Sequence, residues 1–82
     1  MNHGVRLCRI REALGLKQKQ VAHELGVSHT TYSRMESEKA PLRFDRAAKL
    51  ARLFRCSLDD FDELLGGPID QVLAKVLMSR AA

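Results

Sequence analysis

The chain has 82 residues, a formal net charge of +4 and 45% hydrophobic residues. A chain of this length forms one domain with a modest core and has no room for a deep enzyme pocket. No apolar run approaches the roughly 18 residues of a membrane span, and the start of the chain lacks a stretch of signal-peptide length, so the cytoplasm is the expected compartment.

The hydrophobic pattern is helical throughout, with no alternating strand-like run, and predicts an all-α fold. The first helix covers about residues 5–14, with Leu7, Ile10 and Leu14 inward and Gly15 as its stop. The second covers about 18–25 and the third about 29–36. A polar connection over 37–42 contains Pro41, which disfavours helix in the residue before it. The fourth helix covers about 43–54, with Phe44, Ala47, Ala48 and Ala51 on one stripe. Ser57 with Asp60 resembles a capping box and opens a fifth helix over about 58–65. Gly66, Gly67 and Pro68 break the chain, and proline suits the first turn of a sixth helix over about 68–80.

Residues 18–36 carry the most information. Val21, Ala22 and Leu25 fall on one helix face, and Ala22 is small enough for another helix to approach closely. Gly26 follows the last apolar residue, where a helix usually ends in a left-handed conformation. Val27 fills the corner, Ser28 is a good N-cap, and Tyr32 and Met35 share the next inward face. Two short helices joined by such a turn form a helix-turn-helix, whose second helix lies in the DNA major groove. His29, Thr30, Ser33 and Arg34 point away from the apolar face and are types that bond base edges or phosphates.

Charge agrees with a polyanion partner. Residues 1–55 carry twelve Lys/Arg against five Asp/Glu, a local charge of +7, whereas residues 56–82 carry −3. The acidic part is expected to face away from DNA. Such charges also solvate helix faces, so charge alone does not decide the function.

The chain resembles the phage repressor/Cro-like (XRE-type) helix-turn-helix family of bacterial and phage transcription regulators, from about Arg6 to Leu65. The resemblance rests on Leu7, Ile10, Arg11, Glu12 and Gly15-Leu16; on Gln18, Val21-Ala22 and Leu25-Gly26-Val27-Ser28; on Ser33-Arg34-Met35-Glu36; and on Lys49-Leu50-Ala51 with Ser57-Leu58-Asp59-Asp60-Phe61. It implies a five-helix DNA-binding domain over 1–66, with residues 67–82 as an added amphipathic element. It implies base contacts from His29, Thr30, Ser33 and Arg34. Arg34 suits guanine, Thr30 suits a thymine methyl or a phosphate, and His29 can donate or accept. It implies that Gln18 meets a phosphate and braces the third helix. Lys17, Lys19, Thr31, Ser37, Lys39, Arg43 and Arg11 are further phosphate candidates. It also implies an ion pair between Arg11 and Glu36, mainly structural in role. The sequence departs from the family pattern at Lys17, at Ser37-Glu38, at Pro41 and at Arg55, where a helix cap, Asn-Gly, a later proline and glycine are usual.

Ile69, Val72, Leu73, Val76 and Leu77 follow the i, i+3, i+4, i+7, i+8 spacing of an apolar stripe. An isolated helix of that length is marginal in water, so the stripe packs on its own domain or forms a dimer interface. The expected function is a homodimeric repressor of double-stranded DNA without cofactor or metal; the alternative is an antitoxin or accessory regulator working through a protein partner. No catalytic motif appears: the histidines and cysteines form no ligand cluster, and there is no phosphate loop or nucleophile elbow. Cys8 and Cys56 lack paired spacing and read as reduced, partly buried thiols. A redox switch would require them to meet in disulfide geometry.

Overall fold

The computed structural model describes residues 3–39 and 42–81, and the side chains of 79–81 are not described. Pro41 lies outside the described residues. Six helices follow in order: α1 (His3–Ala13), α2 (Gln18–Leu25), α3 (His29–Glu36), α4 (Phe44–Leu53), α5 (Leu58–Gly66) and α6 (Ile69–Ala81). The described residues contain no strand, as the hydrophobic period predicts.

Local chemistry sets the helix ends. Gly15 and Gly26 adopt left-handed φ values of 73° and 74°, which glycine tolerates without a Cβ clash. Ser28 and Ser57 cap α3 and α5, accepting the N–H groups of Thr31 (3.1 Å) and Asp60 (3.0 Å). The capping box expected at Ser57 is only half formed, because the Asp60 carboxylate takes the Lys75 ammonium of α6 at 3.2 Å. Lys17 has no side-chain acceptor to cap α2. Its own N–H instead donates to Gln20 Oε1 at 2.7 Å, the return half of a capping box.

Glu38 and Arg55 stand where the resembled family often has glycine, and both adopt left-handed φ values, 65° and 57°. The turn geometry is thus kept without glycine, at a conformational cost of about 1 kcal/mol each.

The core joins all six helices. Leu7 and Ile10 of α1, Val21, Ala22 and Leu25 of α2, Tyr32 and Met35 of α3, and Leu50 and Ala51 of α4 are buried together with Phe54. Phe61, Leu64 and Leu65 of α5 complete it, with the Phe54 and Phe61 rings 6.2 Å apart and tilted. Leu14 and Val27 pack partly buried against this cluster, as expected.

One apolar expectation needs correction, and the α6 stripe takes the first of its two expected forms. Phe44 is 79% exposed, since it opens α4 at its first residue and none of the described residues covers it there; Leu50, Ala51 and Phe54 carry the inward face instead. The α6 stripe is buried within its own chain: Ile69, Val72, Leu73 and Val76 belong to the core cluster and pack against α5. A dimer contact through those four side chains would require α6 to leave the core. At about 1.5–3 kcal/mol for each buried aliphatic side chain, that departure is costly. Leu77 is the exception at 38% exposed, and Met78 beside it is 75% exposed.

Polar contacts pin α6 and α5 to the N-terminal helix. Arg9 pairs with Asp70 in the first turn of α6. Arg6 Nη1 donates to the carbonyls of Leu64 and Gly67, both at 2.9 Å, and so caps the C-terminus of α5. Sequence reasoning missed this cap because the partners are distant along the chain.

Candidate nucleic-acid interface

The outer face of α3 and the start of α2 form one polar surface. Gln18, His29, Thr30, Ser33, Arg34, Ser37 and Lys39 line a single shallow cleft. All four expected base-reading residues are in that set, with His29, Thr30 and Arg34 exposed and Ser33 half-buried.

A chain of polar contacts holds this surface to the core. Arg11 Nε donates to Glu36 Oε2 at 2.6 Å, and Arg11 Nη2 donates to Glu36 Oε1 at 3.2 Å. Gln18 Nε2 donates to the same Oε1 at 2.9 Å. Gln18 Oε1 in turn lies 3.0 Å from Nε2 of His29. The start of α2 and the start of α3 are thus tied to the end of α3 and to α1 through a single carboxylate.

Glu36 is only 8% exposed and is the buried acid of the core. Burial alone would raise its pKa, but the Arg11 guanidinium and the Gln18 amide outweigh burial and hold the carboxyl below its ordinary range. The hydrogen bonds to Glu36 raise Arg11 correspondingly. Burial, and then the neighbouring carboxylate, push the Tyr32 hydroxyl upward.

The expected phosphate contacts separate on inspection. Gln18, Ser37 and Lys39 sit on the cleft itself. Lys19 lines a different groove with Leu16, Gln20, Val21, His23, Glu24 and Leu53, because successive helix residues point about 100° apart. The Thr31 hydroxyl accepts from Ser28 at 2.9 Å within the α3 cap. Arg43 is exposed at the start of α4, 3.8 Å from Asp45. Lys17 is exposed ahead of α2. Arg11 also donates Nη1 to the Leu16 carbonyl at 2.8 Å and Nη2 to the Cys8 sulfur at 3.6 Å, which leaves little of its guanidinium for a phosphate.

The turn after α3 disposes of a further anion. Glu38 Oε1 accepts the backbone N–H of Gly4 at 3.1 Å, directing that oxygen onto the N-terminus of α1. Gly4 permits this approach: a Cβ there would overlap the Glu36 carbonyl oxygen and Cγ of Glu38.

The cysteines are both free and partly buried. Burial pushes each thiol up to about 11, aided at Cys8 by Glu12 and at Cys56 by Asp60, so both are protonated and weakly nucleophilic at neutral pH. Among the described residues, no three His, Cys, Asp or Glu side chains cluster as metal ligands. No helix among them is long and apolar enough to cross a membrane.

α2 and α3 are thus two short helices joined by three residues, the second bearing an exposed polar face. A family model described as Helix-turn-helix matches residues 9–61, and the chain belongs to that Cro/C1-type (XRE) family. The family binds DNA and regulates transcription, which makes this protein a DNA-binding regulator. Among curated proteins and solved structures, none matches the chain.

Proposed function

We propose that the protein is a homodimeric repressor that reads an inverted-repeat operator in double-stranded DNA, with α3 in the major groove. One observation carries this reading: His29, Thr30, Ser33 and Arg34 share a surface with Gln18, Ser37 and Lys39, and the Glu36 network holds that surface to the core. The four α3 residues meet base edges, and Gln18, Ser37 and Lys39 meet flanking phosphates. Lys17 and Arg43, both exposed, are further phosphate candidates. Such a protein works in the cytoplasm, without cofactor or metal, on a residues 1–66 module to which residues 67–82 are added.

Two copies would place two α3 helices in successive major grooves, about 34 Å apart. The exposed end of α6, Leu77 and Met78, supplies the contact between copies. Removing all of α6 would uncover α5, so point changes are the sounder test. A Leu77→Asp/Met78→Asp variant is expected to fold, to sediment as a monomer and to bind DNA weakly. A variant that stays dimeric places the contact elsewhere.

The test of function is selection of random duplex DNA by the purified protein. Enrichment of an inverted repeat with half-sites one helical turn apart is the expected result. Weak, salt-sensitive binding without enrichment would overturn the reading and favour a regulator acting through a protein partner.

A further inference from the structure

The hydrogen-bond chain from Arg11 to His29 has a direction. Glu36 is held ionised and can only accept, so the part of the Gln18 amide that faces it must be the NH2 group. The amide oxygen of Gln18 therefore faces His29 Nε2, at 3.0 Å. An amide oxygen cannot donate, so Nε2 carries the hydrogen. In a neutral imidazole the other nitrogen, Nδ1, is then a bare acceptor. No hydrogen bond to Nδ1 forms among the described residues, and His29 is exposed in the first turn of α3, on the cleft.

We propose that His29 reads DNA through Nδ1 as a fixed acceptor and so selects an amino base, adenine or cytosine, over a keto base at the position it meets. This inference rests on the major-groove reading above and adds the chemistry of one contact. In that groove adenine presents its N6 amino group and cytosine its N4 amino group, whereas guanine and thymine present acceptors. Every base pair holds one amino and one keto base, so His29 distinguishes the orientation of a pair. The hydroxyls of Thr30 and Ser33 rotate to donate or accept, and Arg34 only donates. His29 is thus the one fixed acceptor among these four residues and Arg34 the one fixed donor. Together they give the half-site a polarity, with an amino base under His29 and guanine under Arg34.

Two measurements on the full chain test this, both in mildly alkaline solution. Long-range proton–nitrogen NMR shows which ring nitrogen bears the hydrogen. The His29 ring is expected to be wholly Nε2–H, and Gln18→Ala is expected to return it to a mixture of tautomers. A mixture, or Nδ1–H, in the unaltered protein overturns the relay. Selection of random duplexes is then run with the unaltered protein, His29→Lys and His29→Ala. The unaltered protein is expected to prefer adenine or cytosine at one position of each half-site by about tenfold. His29→Lys, which can only donate, is expected to prefer guanine or thymine there, and His29→Ala to lose preference at that position alone. The same base enriched with histidine and lysine, or a keto base with histidine, overturns the proposal. An Nε2–H ring in a protein that enriches no sequence overturns the major-groove reading itself, and the base assignment with it.

Discussion

Arg11 and Glu36, 25 residues apart along the chain, meet through two hydrogen bonds, the shorter at 2.6 Å, with both side chains largely shielded from water. The pair joins α1 to the end of α3. The same carboxylate takes the amide of Gln18, which reaches His29 at the front of the cleft. One buried acid therefore serves both the fold and the orientation of the polar surface at the front of α3.

Removing that acid should unfold as well as disarm the protein. Glu36→Ala leaves the Arg11 guanidinium buried without its counter-charge, a loss of about 3–5 kcal/mol. The urea midpoint is expected to fall steeply, and duplex selectivity to fall with it. An unchanged midpoint would mean that Arg11 finds another partner and that the pair contributes little.

Acid should act through the same group. The Glu36 carboxyl titrates below its ordinary value when folded, because Arg11 and Gln18 outweigh its burial, and returns to about 4.5 when unfolded. As pH falls, the unfolded chain takes up this proton first. The stabilisation is therefore complete above the unfolded value and is lost as pH falls through the folded one. Glu36→Gln lacks the titrating group. Its urea midpoint, though lower at neutral pH, is expected to decline less steeply in the acid range. Equal slopes for the two proteins would assign the acid sensitivity to other carboxyls.

Base and phosphate contacts should separate in binding assays. Arg34→Ala is expected to relax preference at one or two base pairs, at a cost of about 1–3 kcal/mol. Lys39→Ala is expected to weaken binding to all duplexes alike and to flatten the salt dependence by about one ion. Uniform weakening from Arg34→Ala would reassign it to a phosphate, and an unchanged salt slope would remove Lys39 from the footprint.

Two backbone positions should respond in opposite directions. Gly4→Ala forces a Cβ against the Glu36 carbonyl and the Glu38 side chain, and is expected to cost about 1–3 kcal/mol. Arg55 holds a left-handed φ of 57°, so Arg55→Gly is expected to raise stability by about 0.5–1 kcal/mol. Thermal melts of the two variants check both signs. A stabler Gly4→Ala would show that α1 can move away from α3 at no cost.

The helices, the turn and the exposed face of α3 were legible in the sequence for a local reason. Apolar residues three and four apart define a helix face, and Gly15, Gly26, Ser28 and Ser57 act on backbone groups within a few residues of themselves. The Arg11–Glu36 pair was legible only through resemblance, since nothing in their spacing brings them together. Tertiary structure decided the remainder, because burial depends on what lies over a residue. Phe44 is in phase with an inward stripe yet projects into solvent at the head of α4, and Leu77 continues the α6 stripe yet stays partly exposed. Neighbouring Gln18 and Lys19 serve different grooves. Arg6 closes the end of α5 across 58 and 61 residues of chain. The sequence by itself determined which segments coil and which faces are apolar, because both follow from short-range period and capping. Which apolar face is covered, and which charge meets which, was decided by the packing of α1, α3, α5 and α6 around one shared core.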